Sequence, residues 1–298
     1  MKQVILNEPP AYDSRWDRTR ADYTRQVTPD LAYKRLAIVN VVFFGLPGCG
    51  EGEWVLIDAG IPGSAGAILR AAEARFGEGA KPAAIILTHG HFDHVSALET
   101  LLEKWKVPVY AHELELPYLD GRALYPPPDP KAGSGLMSAL SPLYPRGPID
   151  LKPVLRPLPR DGSVPGMPGW AWLRTPGHTP GHVSLWREDD LTLVAGDAFI
   201  TTTQESAYAV AMQSPDMHGP PMYYTQNWVD AENSVRFLAS LEPDLAVTGH
   251  GPAMRGLIMR SALKTLARNF AEVAVPKNGR YLHHPTDPET GSAYAPAP

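Results

Sequence analysis

The chain of 298 residues has a single cysteine, Cys49. That excludes a disulfide within the chain and any cysteine-rich zinc finger. It has no surplus of basic charge. Its 27 Lys and Arg stand against 32 Asp and Glu, for a net charge of −5, the wrong balance for gripping nucleic-acid phosphates. Long apolar runs are also missing, since no uninterrupted stretch approaches the ~20 residues that span a bilayer. Within the first 30 residues the short run Val4-Ile5-Leu6 sits among charges and prolines and makes no signal-peptide core. The expectation is a soluble, cytoplasmic protein that engages neither nucleic acid nor membrane. With 44% hydrophobic and 20% charged residues, it can bury a sizeable core and is not a disordered tail.

What the chain does have is proline and glycine, 32 and 26 residues respectively. They crowd between Pro117 and Pro168, including Pro126-Pro127-Pro128. Proline cannot donate to a ladder and restricts its predecessor, so a Pro/Gly-rich insert of irregular backbone is expected at about 113–169. A similar composition from Pro276 to Pro298 predicts a surface strap or a frayed end. Around the insert, apolar runs alternate with helical patterns. Strands are expected at 37–44, 54–57, 83–87, 170–173, 183–186, 191–195 and 245–247, and helices at 65–76, 95–105, 228–241 and 256–273. The alternation predicts an α/β layered fold of one domain over 1–298. The halves rhyme: the strands at 55–57 and 193–195 run into Asp58 and Gly196-Asp197, and those at 84–87 and 245–247 run into Thr88-His89 and Thr248-Gly249-His250. Polar groups at the carboxyl ends of apolar strands are where open α/β sheets place their sites.

The densest chemistry lies in Thr88-His89-Gly90-His91-Phe92-Asp93-His94, three imidazoles and a carboxylate in six residues between a strand and a helix. A turn that merely caps the helix accounts for one of these side chains, not for four. Imidazole and carboxylate at this density are the usual ligands of zinc, iron or manganese, and Gly90 lets the backbone turn so that they converge.

His89-x-His91-x-Asp93-His94 resembles the signature of the metallo-β-lactamase fold superfamily. Further motifs follow in that superfamily's order: Pro176-Gly177-His178-Thr179-Pro180-Gly181-His182, Gly196-Asp197, Thr248-Gly249-His250-Gly251-Pro252, and before them all Asp58 in Leu56-Ile57-Asp58-Ala59-Gly60. The resemblance implies a four-layer αββα sandwich and two divalent metal ions, zinc first, with iron, manganese or cobalt as alternatives. His89, His91 and His178 would hold one ion and Asp93, His94 and His250 the other, with Asp197 bridging them. Asp58 and His182 would stand just behind the ligands. Two divalent cations, two carboxylates and a bridging hydroxide leave a cluster near +1, suited to an anionic transition state, and Asp93 would shuttle a proton. His112, His218, His283, His284 and Cys49 lack any motif context and are expected in packing or surface roles.

The superfamily acts on β-lactams, thioesters, lactones, phosphodiesters and sulfate esters, and some members oxidise persulfides with one iron. Asp197 disfavours the β-lactamases, which generally lack that bridge, and the acidic balance disfavours the nucleases. Lactonase-like and glyoxalase-II-like branches share the whole ligand set. Many lactonases place a tyrosine three residues after the bridging aspartate, where this chain has Ile200, which leaves Tyr223 or Tyr224 to reach the site instead. Only Arg255, Arg260, Lys264 and Arg268 hint at the basic helix of the glyoxalase-II type. The expected function is hydrolysis of a carbonyl ester, lactone or acyl ester, by the bridging hydroxide. The alternatives are a thioester hydrolase and a mononuclear iron dioxygenase. The substrate is expected to be a small molecule of apolar character, because Tyr118, Leu124, Tyr125, Leu136, Met137, Leu140, Leu143 and Tyr144 of the insert, with the stretch 208–224, would wall a pocket. Packing under the loop or a homodimer contact is the other reading of those side chains.

Overall fold

The computed structural model describes residues 18–133, 135–203 and 216–297. A seven-stranded sheet runs in the order β1 (Arg25–Gln26), β2 (Leu31–Leu36), β3 (Val39–Phe44), β4 (Val55–Ile57), β5 (Ala84–Ile86), β6 (Val109–Ala111) and β8 (Leu155–Pro157). The first four strands pair antiparallel and the last four parallel. A five-stranded sheet follows, ordered β13 (Met254–Arg255), β12 (Leu245–Thr248), β11 (Thr192–Gly196), β10 (Val183–Arg187) and β9 (Ala171–Arg174), with β11 and β12 parallel.

Why two sheets and not one follows from which faces are apolar. Val42, Phe44, Val55, Ile57 and Ile86 of the first sheet meet Val183, Leu185, Val194, Leu245 and Val247 of the second in a shared core. The alternate residues of the first sheet, Val41, Phe43, Leu56 and Ile85, face α1 (Ala65–Phe76) and α3 (Leu98–Trp105) instead. Leu193, Ala195 and Ala246 of the second face α6 (Trp228–Ser240) and α7 (Gly256–Arg268). Side chains of period two thus give each sheet two apolar faces, and helices with apolar stripes cover the outer ones. The result is the αββα sandwich. Trp54, fully buried beside β4, stacks on Phe76 of α1 (4.4 Å between ring centroids) and meets Trp105 of α3 edge-on at 5.3 Å. Such ring pairs add roughly 0.5–1.5 kcal/mol each beyond the area they bury. Among the described residues no helix is long and apolar enough to cross a membrane.

Several expected elements need correction. The strand expected at 37–44 is β3 alone, and an unexpected β2 precedes it: the two form a hairpin whose register pairs Leu36 with Val39, and Ala37 turns it at φ +56°. Tyr33-Lys34-Arg35 broke the apolar run by which β2 would have been read. The helix expected at 95–105 begins later, as α3, and a separate short α2 (Phe92–Val95) precedes it. Between them the Ala97 N–H bonds to the Ala59 carbonyl (3.3 Å) rather than continuing the helical ladder. The helix expected at 256–273 ends at Arg268, and a short α8 (Phe270–Val273) follows Asn269.

The insert is less irregular than its prolines predict. It holds α4 (Leu116–Leu119), β7 (Ala123–Leu124), α5 (Leu136–Leu140), a 3₁₀ turn at Ser141–Leu143, and the edge strand β8. The tail is a strap. Its β14 (Ala295–Pro296) pairs with β7, Tyr118 donates to the Ala293 carbonyl (2.8 Å), and Tyr281 donates to that of Pro127.

Candidate metal centre

Four strands end on one edge of the sandwich, and each delivers a ligand or its support. Leaving β4, Asp58 adopts a left-handed conformation at φ +60°. β5 leads into Thr88 and His89, β11 into Asp197, and β12 into His250. The two sheets are tied there by backbone bonds from Val183 N–H to the Thr88 carbonyl (3.0 Å) and from Asn40 N–H to that of Gly249 (2.7 Å).

All seven expected ligands are buried, and they fall into three overlapping groups. His89, His91 and His178 form one, Asp93, His94 and His250 another, and His89, His94 and Asp197 lie between them. In each, one donor atom per residue lies within 4.8 Å of the others. The Oδ2 of Asp197 sits among four imidazole nitrogens, 3.1 Å from His250 Nε2, 3.4 Å from His178, 3.6 Å from His94 and 4.0 Å from His89.

Hydrogen bonding at the back of each ring decides which nitrogen faces inward. His94 Nδ1 donates to Asp58 Oδ2 (2.8 Å), and His250 Nδ1 to the Ile38 carbonyl (2.6 Å). Thr88 Oγ1 gives its proton to Asp58 and so accepts from His89 Nδ1 (3.1 Å). Likewise Thr225 Oγ1 donates to the Pro221 carbonyl and accepts from His178 Nδ1 (3.3 Å). Four rings are thereby fixed with Nε2 lone pairs turned to the centre, as a metal site requires. His91 is turned the other way, its Nδ1 being 2.9 Å from His178 Nε2. The Nε2 atoms of His89 and His94 and the Oδ1 of Asp197 are buried without a hydrogen-bond partner. Orphaned buried acceptors are costly, and divalent cations fit this donor set of five imidazoles and two carboxylates.

The electrostatics divide the rings into two sets. Burial, with neighbouring imidazoles, holds His89 and His91 well below the usual histidine range and His178 at about 3, so these rings are neutral. Burial opposes charge on His94 and His250 as well, but the Asp197 carboxylate beside them outweighs it and pushes both up. Those two rings in turn hold Asp197 well below the carboxylate range against its burial. Burial raises Asp93.

Behind the ligands, Asp58 accepts from the Thr88 N–H (2.8 Å) and hydroxyl (2.8 Å) while it orients His94. His182 is turned from the centre. Its Nε2 accepts the Asp197 N–H (2.9 Å), and its Nδ1 donates to Thr175 Oγ1 (2.9 Å), which is linked through Ser184 Oγ to the Ala195 carbonyl. Burial keeps it neutral, at about 4, as the acceptor role demands.

Three supporting residues escaped the sequence reading. Asn40 donates to the Thr248 (2.9 Å) and Gly251 (2.7 Å) carbonyls and shapes the turn that carries His250. The one hint was an amide inside an otherwise apolar strand. Gly249 leaves room for the bridging carboxylate, because a Cβ there would stand 2.0 Å from Asp197 Oδ1. Glu115 is fully buried in the turn before α4, and nothing in the Pro-rich composition around it singled it out. Of the tyrosines, Tyr224 does reach the site. Its ring stacks on His91 (4.4 Å, 27°), and its hydroxyl is buried with no partner among the described residues. Tyr144 lies against Phe92 (5.3 Å). Residues 208–215 of the expected pocket wall fall outside the described residues.

The family profile of the Metallo-beta-lactamase superfamily matches residues 35–250, which hold every one of these ligands. The chain belongs to that superfamily. Among its relatives, "Probable metallo-hydrolase YflN" of Bacillus subtilis is 51% identical over 236 residues, 79% of this chain and 89% of that one. Solved structures of the superfamily fold match with TM-scores above 0.5, among them the following two. TTHA1623 in a di-iron-bound form has a TM-score of 0.51 at 27% identity, covering 81% of this chain and 98% of that one. A beta-lactamase domain protein from Burkholderia ambifaria has 0.57 at 20% identity, covering 88% and 80%. The chain is thus a member of the metallo-β-lactamase superfamily with a candidate His/Asp metal site.

Proposed function

We propose that this superfamily member is a dinuclear hydrolase of carbonyl esters, with lactones and simple acyl esters its first substrate class and thioesters the next. The reading is carried by Asp197 Oδ2, which lies within 4.0 Å of imidazoles belonging to both ligand groups. Zinc suits a donor set of imidazole and carboxylate. Iron is its competitor, as the 27% identical di-iron structure suggests.

When bound, two divalent cations supply an acidified water and a Lewis acid for the carbonyl. The chain's own residues do the rest. Asp93 Oδ2, 3.5 Å from His250 Nε2, takes up a proton and returns it to the leaving oxygen. Tyr224 donates its free hydroxyl to the substrate carbonyl, and burial, with Asp93 nearby, keeps that phenol protonated far above its usual range. It thus fills the place that Ile200 leaves open. Tyr144, Tyr223, Tyr224 and Phe92, with neighbouring ring centroids 5.1–6.4 Å apart, offer an apolar wall for the acyl part of a small substrate.

Two cations of α7 that would suit the carboxylates of a glutathione-like thioester are engaged elsewhere. Arg260 pairs with Asp244 (3.3 Å) and Lys264 with Glu242. That favours esters over such thioesters. Elemental analysis of the purified protein, followed by a panel of lactones, aryl esters, thioesters and phosphodiesters, tests the proposal. Two metal equivalents and oxygen-independent ester or lactone turnover are expected. One iron per chain with oxygen consumption would replace the reading with a dioxygenase.

A further inference from the structure

We propose that Glu115 and Tyr125 are positioning residues that lock the two ligand-bearing loops together and so set the geometry of the site made by His89, His91 and His178. The proposal rests on the two-cation reading of the centre. Those three ligands come from separate loops, 88–94 and 175–182. Within that group, His91 Nδ1 and His178 Nε2 approach to 2.9 Å across the gap between the loops. Neither loop alone can fix that separation.

Glu115 is the group that spans it. Its side chain is fully buried, and each carboxylate oxygen accepts two donors. Oε1 takes the Thr179 hydroxyl (2.8 Å) and the Gly181 N–H (2.9 Å), beside His178. Oε2 takes the Gly90 N–H (3.0 Å), between His89 and His91, and the Tyr125 hydroxyl. Tyr125 Oη lies 2.8 Å from the same Gly90 N–H, and its ring packs on His91 with centroids 4.4 Å apart. Tyr118 backs that ring at 3.7 Å.

The glycines on both sides are shaped to this pair. A Cβ at Gly181 would stand 2.8 Å from Glu115 Cγ, and one at Gly90 would stand 2.7 Å from Tyr125 Oη. A buried carboxylate is costly, and four donors are what makes it tolerable. An apolar side chain would fill the same volume without crossing from one loop to the other. Glu115 touches no ligand atom, so its action is on geometry.

Glutamine cannot replace it. Its amide nitrogen would face the Gly181 N–H or the Gly90 N–H, neither of which can accept, so one backbone latch is lost whichever way it turns. Tyr125→Phe keeps the ring and removes one bond, and Thr179→Val does the same at the far oxygen. The experiment loads wild-type and variant proteins with cobalt(II), then measures stepwise affinity by chelator competition and the visible absorption of each site, with thermal unfolding as the fold control. In Glu115→Gln, one cobalt is expected to bind about 10–100-fold more weakly with an altered spectrum, while the other equivalent keeps its affinity. Tyr125→Phe and Thr179→Val should shift the same equivalent by about tenfold. Wild-type affinity and spectrum in a folded Glu115→Gln overturns the proposal. Should that variant not fold, unchanged binding in both Tyr125→Phe and Thr179→Val overturns it equally. A wild-type protein that takes up no cobalt overturns the reading of the centre itself, and this latch with it.

Discussion

Gly249→Ala is the sharpest test of the bridging position of Asp197. Gly249 lies outside the left-handed region, so alanine meets no backbone strain of its own. Its Cβ, however, would stand 2.0 Å from Asp197 Oδ1 and 2.9 Å from His94 Cε1. A carbon and a carboxylate oxygen come no closer than about 3 Å, well inside the usual 3.5–4.0 Å optimum for non-bonded carbons. One side must therefore yield by about 1 Å. The backbone at 249 is held by bonds to Gly196 (2.8 Å) and from Asn40 (2.7 Å), so the carboxylate moves. Metal–ligand distances tolerate roughly ±0.2 Å, so the displacement is several times what a bridging ligand can absorb. A misplacement of about 1 Å costs on the order of 10²-fold in rate, equivalent to about 2.7 kcal/mol. The expected result is a folded protein with at least one weakened metal equivalent and turnover reduced about a hundredfold or more. Metal content, thermal unfolding with and without chelator, and aryl-ester turnover measure it. Gly66→Ala in α1, whose Cβ would meet only Arg70 Nη1 at 3.4 Å, is the control. It should leave metal content alone and stabilise by up to ~1 kcal/mol. Two metals and undiminished turnover in Gly249→Ala would refute the placement of Asp197.

His91→Ala or Asp197→Ala should abolish turnover and lower metal content with the fold retained, and unchanged activity in either would remove that residue from the ligand set. Tyr224→Phe should lower kcat for esters about a hundredfold, the scale of one lost oxyanion-type donor, without loss of metal. An unaltered kcat would leave the buried hydroxyl without a catalytic role. On the acid side, burial alone would raise Asp22 and Asp30. Hydrogen bonds from Thr24 and Arg75 to the first, and from Arg187 and Thr28 to the second, instead hold both below the usual carboxylate range. A carboxyl lowered in the folded state contributes stability that is present above its unfolded value near 4 and is lost as pH falls through the folded one. Stability should therefore decline below pH ~4, and Asp22→Asn should flatten that decline. An unchanged acid slope in the variant would count against the pairing.

The candidate ligands were legible in the sequence because metal chemistry is local in part. Four of the seven lie within six residues, and the rest follow apolar strands whose period and length can be read from single runs. Asp58 and His182 were legible as neighbours of that pattern, although only the folded chain shows that one orients His94 and the other holds the Asp197 backbone. The hairpin at Ala37 was not legible, because Tyr33-Lys34-Arg35 breaks the apolar pattern of β2 and leaves only β3 to be read from the run. β8 was hidden by the prolines around it, since its place is set by pairing with β6 and not by its own composition.

What the sequence determined by itself is the donor set, the alternation of strand and helix, and the glycines that permit tight turns at the site. Tertiary structure decided which nitrogen of each imidazole faces inward, because that depends on acceptors as remote as Ile38 from His250 and Thr225 from His178. It also decided that Glu115, one acidic residue among many in a proline-rich stretch, lies buried between two loops, and that Gly249 is needed for the space it leaves. Composition and periodicity report what a residue is and what its near neighbours are. Hydrogen-bond direction and steric room are properties of atoms brought together from distant parts of the chain, and only the fold supplies them.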